Sequence, residues 1–164
     1  MRLEAILDRC LAVERRAGAL YRRFADASAG HDDLRAVWLR LAAEEDEHAA
    51  AIAIARATVD PVVGARSQVD GWDEALGHAE EVLRRGDEAP AGSLDDQLAL
   101  ALELEGTEID TLRQLVLQTA GQSCEAGAAT SRHALELADV AARHSSDSRV
   151  RLREALVRAH QRLG

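Results

Sequence analysis

The sequence has few aromatic, proline and cysteine residues, and each shortage narrows the choice of fold. Aromatic residues make up 2% of its 164 residues, and it has two prolines and almost no runs of β-branched residues. Because β-sheets favour aromatic and β-branched side chains, this composition indicates α-helices rather than strands. Its two cysteines, Cys10 and Cys124, form no C-x-x-C pair and are interpreted as reduced thiols.

Basic clusters and long apolar runs are also lacking. The net charge is −9, which argues against a nucleic acid or an anionic membrane as partner. No apolar run approaches the roughly 20 residues of a membrane span. Acidic residues interrupt the first apolar stretch, so it is not a signal peptide. We therefore expect a single cytoplasmic domain over residues 1–164, which is long enough to bury a core.

Apolar residues recur at steps of three and four, which predicts helices. Four long helices are expected at about 3–27, 33–57, 94–120 and 123–144. The break at 28–30 is short, so the first two helices form an antiparallel hairpin, with Asp32 or Asp33 as N-cap of the second. Ser93 followed by Asp96 predicts a cap for the third helix. The arginines of the first helix and the acidic run at 80–88 are expected to be solvated surface.

Between the hairpins lie about 35 residues, far more than an ordinary bundle loop needs. This crossover contains a short helix at about 71–85, and an extra C-terminal helix is expected at about 148–163. The sequence thus predicts an all-α protein, an antiparallel four-helix bundle of two hairpins joined by a long crossover.

Charged residues stand inside the apolar faces of these helices. Glu45 and His48 are three residues apart and lie side by side on one helix surface. The corresponding faces of the other helices contribute four more side chains: Glu14, Glu105, Glu108 and His133. Four carboxylates in an apolar core repel one another unless a metal ion supplies the opposing charge. Mixed carboxylate and imidazole ligands suit iron or manganese, with zinc as a further alternative.

This pattern resembles the ferritin-like superfamily, and within it the rubrerythrin-type proteins. The residues that carry the resemblance are Glu14-x6-Tyr21, Glu45-x-x-His48, Glu105-x-x-Glu108 and His133. The resemblance implies a ferritin-like bundle with two iron ions that react with dioxygen or peroxide. It also implies that Glu45 bridges the ions and that Glu14, His48, Glu105 and His133 are terminal ligands. Tyr21 would orient a ligand carboxylate through a hydrogen bond, and Glu108 would be an extra carboxylate ligand.

The second hairpin departs from the family pattern at Thr130. Aligning the hairpins by their buried faces puts His133 on His48 but Thr130 on Glu45, where a second bridging glutamate is expected. Three outcomes remain open: Glu108 substitutes, only one ion binds, or the centre is vestigial. The alternative function is therefore a non-catalytic bundle for storage, scaffolding or interaction, whose C-terminal helix docks a partner or a second subunit as a homodimer. A peroxide-reducing cycle would need a separate electron donor, because the chain has no C-x-x-C module.

Overall fold

The computed structural model describes residues 1–59, 72–88 and 92–105, together with Leu137 and Arg143. Every element in this part of the chain is an α-helix, which confirms the all-α prediction for these residues. The predicted helices at 123–144 and 148–163 lie outside the described residues, apart from Leu137 and Arg143. The described residues form four helices: α1 (Leu3–Ala27), α2 (Asp32–Thr58), α3 (Trp72–Glu88) and α4 (Leu94–Glu105).

A tight turn joins α1 to α2. The hydroxyl and backbone N–H of Ser28 both donate to the carbonyl of Phe24, which satisfies the open end of α1. Gly30 follows with φ of 93°, a left-handed conformation that glycine adopts without strain. The N-cap of α2 is His31, so the prediction that Asp32 or Asp33 fills this position is wrong. Both aspartates lie instead in the first turn, where their charge faces the positive end of the helix dipole.

The α1–α2 hairpin is antiparallel and forms the main core. Its largest fully buried side chains include Trp38, Tyr21, Leu7, Leu41 and Ile52. Ion pairs join the exposed margins of the two helices, Arg56 with Asp8 near one end and Arg22 with Asp46 further along. This arrangement brings the middle of α1 against the middle of α2.

Helix α3 is longer than expected, because it continues through Gly86 to Glu88. A glycine inside a polar stretch suggests a break, but here it permits close packing. A Cβ atom at Gly86 would lie 3.0 Å from a methyl carbon of Leu20 on α1. Arg84 pairs with both Glu81 and Glu88, which supports the last turn of the helix.

Ion pairs fix α3 along α1, with the two helices running in the same direction. Arg9 donates to both carboxylate oxygens of Glu80, at 2.8 and 2.9 Å, and to Asp73 at 2.7 Å. Arg16 and Arg23 both reach Asp87, at 2.8 Å. These charges lie at the surface, as the sequence predicts, and in addition they pair across the two helices. The hydrogen bonds from Arg9 also lower the pKa of the Glu80 carboxyl.

Helix α4 begins with the predicted cap. The backbone N–H of Ser93 donates to Asp96 at 3.0 Å, and the backbone N–H of Asp96 donates to the Ser93 hydroxyl at 3.3 Å. Arg85 of α3 pairs with Glu103 of α4 at 2.5 Å. Leu137 belongs to the same buried core. None of the helices described here is long and apolar enough to cross a membrane.

Candidate metal site

Two carboxylates and one imidazole meet where the middle turns of α1 and α2 face each other. Glu14 is 3% exposed and Glu45 is 7% exposed, so both carboxylates are buried. The Nδ1 atom of His48 lies 3.1 Å from Oε2 of Glu45 and 3.7 Å from Oε2 of Glu14. One ligand atom from each of the three residues lies within 4.8 Å of the other two.

Helix spacing explains why these three side chains converge. Glu14 lies on the apolar face of α1, between the buried residues Cys10 and Ala17. Glu45 lies on the apolar face of α2, and His48 follows it by three residues, close to one turn of helix. Because the helices are antiparallel and pack through these faces, the side chains project into one space.

The chemistry of this group fits a cation. Burial of a carboxylate disfavours its charged form, and a second carboxylate nearby adds repulsion. A bound metal ion supplies positive charge to both, and a neutral imidazole is a common ligand beside them. Metal bonds of about 2.1 Å place neighbouring ligand atoms roughly 3 to 4 Å apart, and both His48 distances fall in that range. Glu14, Glu45 and His48 could therefore hold a metal ion.

Glu105 of α4 makes a contact with a different residue of α1. The hydroxyl of Tyr21 donates to Oε1 of Glu105 at 2.7 Å. The carboxylate of Glu105 is partly buried and is not one of the three converging ligands. Tyr21 was expected to orient a ligand carboxylate, and this hydrogen bond is the contact that such a role needs. Whether Glu105 ligates a metal stays a prediction.

An aromatic cluster supports Tyr21 from the side, and sequence reasoning missed it. The ring of Tyr21 stacks on Trp38 with centroids 5.9 Å apart and 15° between the planes. Phe24 contacts Trp38 edge to face at 5.2 Å. The sequence does contain a signal for the stack. Tyr21 follows Glu14 by seven residues and Trp38 precedes Glu45 by seven, so an antiparallel hairpin that aligns the glutamates also aligns the rings.

The remaining predicted ligands, Glu108 and His133, lie outside the described residues, as does Thr130. The structure thus brings together three of the six predicted metal ligands and places Glu105 beside Tyr21. These three come from the first hairpin, where the sequence pattern was most complete.

The described fold and site define an α-helical protein with a candidate carboxylate–imidazole metal site between two antiparallel helices. Comparison with protein-family models, with curated proteins and with solved structures finds no significant match to the chain.

Proposed function

We propose that this chain is a metal-binding protein of the ferritin-like, rubrerythrin type, and that Glu14, Glu45 and His48 bind iron. The observation that supports the proposal is the convergence of two buried carboxylates with an imidazole. The aligned Tyr21 and the antiparallel hairpin agree with the same class. The proposal includes a complete bundle of two hairpins, with a long crossover and a C-terminal helix.

Each residue has a distinct part in holding the ion. Glu45 and His48 come from one rigid helix, so their relative position is fixed before binding. Glu14 closes the group from the opposite helix. Both carboxylates are buried, so solvent screens their charge interactions less than it would at the surface. A bound iron ion supplies redox chemistry toward dioxygen or peroxide.

The number of ions depends on the second hairpin. A second iron site needs the carboxylates of Glu105 and Glu108 and the imidazole of His133. Tyr21 supports this arrangement because its hydrogen bond fixes the orientation of Glu105. Thr130 opposes it, because a threonine hydroxyl replaces a bridging carboxylate. We therefore propose an iron site at Glu14, Glu45 and His48. If a second ion also binds, the protein is a di-iron oxidase or peroxidase. The alternative is a non-catalytic bundle.

Anaerobic titration with ferrous iron tests the site. We expect the wild-type protein to bind iron and Glu45→Gln to lose at least about tenfold in affinity, because a neutral amide replaces a charged ligand. The matched control is Glu44→Gln, which changes the neighbouring carboxylate outside the group. Equal affinity in Glu45→Gln and wild type would contradict the site.

The number of iron ions bound per chain and the absorption spectrum then distinguish a di-iron enzyme from a non-catalytic bundle. Two ions per chain, and a near-ultraviolet band of a coupled ferric pair after air or peroxide, support the oxidase or peroxidase. One ion and no such band support a bundle without that chemistry. Thr130→Glu sharpens the result, since a gain of a second ion would show that only one ligand is missing.

A further inference from the structure

Three aromatic rings form a closed cluster between α1 and α2, in a chain that has only two tryptophans, one tyrosine and one phenylalanine. Tyr21 and Phe24 lie close to one turn apart on α1, with centroids 6.4 Å apart, and Trp38 of α2 contacts both rings. The planes of Tyr21 and Trp38 are 15° apart, whereas Phe24 meets the indole at 63°. Tyr21 and Trp38 are fully buried, so most of the aromatic residues of the chain are spent on one internal contact.

The hydroxyl of Tyr21 reaches beyond this cluster to a third helix. It donates to Oε1 of Glu105 on α4 at 2.7 Å. This is the usual length of an O–H···O bond, which weakens steeply when the two groups turn away from each other. Conjugation keeps a phenol O–H in the plane of its ring, so the orientation of the ring determines where the hydrogen points. A contact that fixes the ring plane of Tyr21 therefore also directs its hydrogen bond.

From this geometry we propose that Trp38 is a positioning residue for the hydrogen bond between Tyr21 and Glu105. The stacked indole restrains rotation of the phenol ring, because a turned ring loses the contact or collides with it. Ring contacts hold the indole in turn, since its N–H has no hydrogen-bond partner among the described residues. A side chain of α2 thus controls a contact between α1 and α4.

The consequence for metal binding rests on the proposed function. Trp38 lies on the same buried face of α2 as Glu45, two turns before it. Glu105 is a predicted ligand, and a ligand carboxylate depends on the hydrogen bonds that orient it. Trp38 then affects iron binding through Tyr21, without itself contacting the ion.

The iron-free protein tests the proposal, because Tyr21 is the only tyrosine of the chain. Tyrosine labelled with carbon-13 at Cζ gives one NMR signal, whose chemical shift responds to the acceptor of the hydroxyl. Glu105→Ala should move this signal when Trp38 is present. In a Trp38→Met background the same substitution should move it about half as far or less, because the hydroxyl no longer points at Glu105. Comparing the two changes cancels the direct effect of the indole on the signal.

Three further backgrounds separate positioning from a general loss of stability. Trp38→Leu also lacks a ring and should behave like Trp38→Met, whereas Trp38→Phe keeps a ring and should restore most of the response. The matched control is Ile52→Ala, which removes a fully buried side chain from the same face of α2, about four turns from Trp38. It should leave the response unchanged. Circular dichroism confirms that each variant is folded. A full response without a ring at position 38, or an equal loss in Ile52→Ala, would overturn the proposal.

Iron affinity gives an independent measurement. Tyr21→Phe should weaken ferrous iron binding by about tenfold, because it removes a hydrogen bond to a ligand carboxylate. Trp38→Met should weaken it by the same factor or less, and the double variant should bind as well as Tyr21→Phe alone. A further loss in the double variant would contradict a role through Tyr21. A wild-type protein that binds no iron would contradict the proposed function, while the NMR response of the iron-free protein would still decide the role of Trp38.

Discussion

Helix α1 contacts its two neighbours through very different surfaces. Toward α2 it presents buried apolar side chains, with Glu14 among them. Toward α3 it also presents an apolar side chain, Leu20, which packs against Gly86. The margin of this contact differs, because three arginines at seven-residue intervals, Arg9, Arg16 and Arg23, pair there with carboxylates at the surface. The first contact encloses the candidate metal site, and the second holds the crossover helix along the outside of the hairpin.

The same residue type has opposite consequences in the two contacts. Glu14 has a side chain that is 4% exposed, so its charge is costly unless a cation or a proton compensates it. The side chain of Glu80 is 36% exposed and receives two hydrogen bonds from Arg9, so its charge is tolerated and contributes little stability. A buried acidic group therefore points to function, whereas an exposed pair mainly selects the position of a helix.

If the α1–α2 contact carries most of the stability, its central aromatic side chain should be the most costly to remove. Trp38 is fully buried against Tyr21 and Phe24. We expect Trp38→Ala to lower the free energy of unfolding by about 3–5 kcal/mol, measured by urea denaturation followed by circular dichroism. Leu39→Ala, at the next and 40% exposed position, should change it by about 0.5 kcal/mol or less. Similar effects of the two variants would mean that the hairpin is not the main core.

The α1–α2 contact could be predicted from the sequence. Apolar spacing of three and four residues located the helices, and the same spacing put Glu14, Glu45 and His48 on buried faces. Local periodicity determines which face of a helix is apolar, and a short turn leaves little choice in how two helices pair. The core of the candidate site follows from these two facts.

The α1–α3 contact could not be predicted in this way. Docking of the crossover helix depends on contacts between residues about 70 positions apart, such as Arg9 with Glu80. Nothing in the local pattern of either helix specifies that pairing. The predicted end of the crossover helix, at about residue 85, was too early for a related reason, because the closeness of Gly86 to Leu20 exists only in the folded chain. The prediction of the N-cap residue of α2 was wrong for a local reason, since two adjacent aspartates and a histidine can all begin a helix.

Two glycines of α3 test how closely the crossover helix packs. A Cβ at Gly86 would meet Leu20 at 3.0 Å, whereas a Cβ at Gly77 would have no atom within 4 Å. Gly86→Ala should destabilise the protein by about 1–2 kcal/mol, because the fully buried side chain of Leu20 must shift to make room for the added methyl group. Gly77→Ala should stabilise it by about 0.5–1 kcal/mol through better helix propensity. Thermal or urea unfolding of both variants measures the difference, and stabilisation of both would show that α3 does not pack tightly on α1.

We expect the smallest effect on the free energy of unfolding from the ion pairs. The sign of its pH dependence follows from the pKa of Glu80. Hydrogen bonds from Arg9 lower the pKa of Glu80 in the folded protein, so the pair contributes stability above the unfolded value of about 4.3. That stability is lost as the pH falls through the lowered pKa, where the carboxylate becomes protonated. Because the side chain is 36% exposed, we expect Glu80→Gln to cost at most about 1 kcal/mol at pH 7.

The difference between wild type and Glu80→Gln should therefore shrink steadily below about pH 4 and vanish at lower pH. Urea unfolding of both proteins at each pH measures this difference directly, because titration of the other carboxylates is common to the two chains. Glu74→Gln, at an exposed position of the same helix, controls for the loss of one negative charge. A difference that stays constant down to pH 3 would show that Arg9 does not stabilise the charged form of Glu80. A difference well above 1 kcal/mol at pH 7 would show instead that the ionic contact rivals the apolar one.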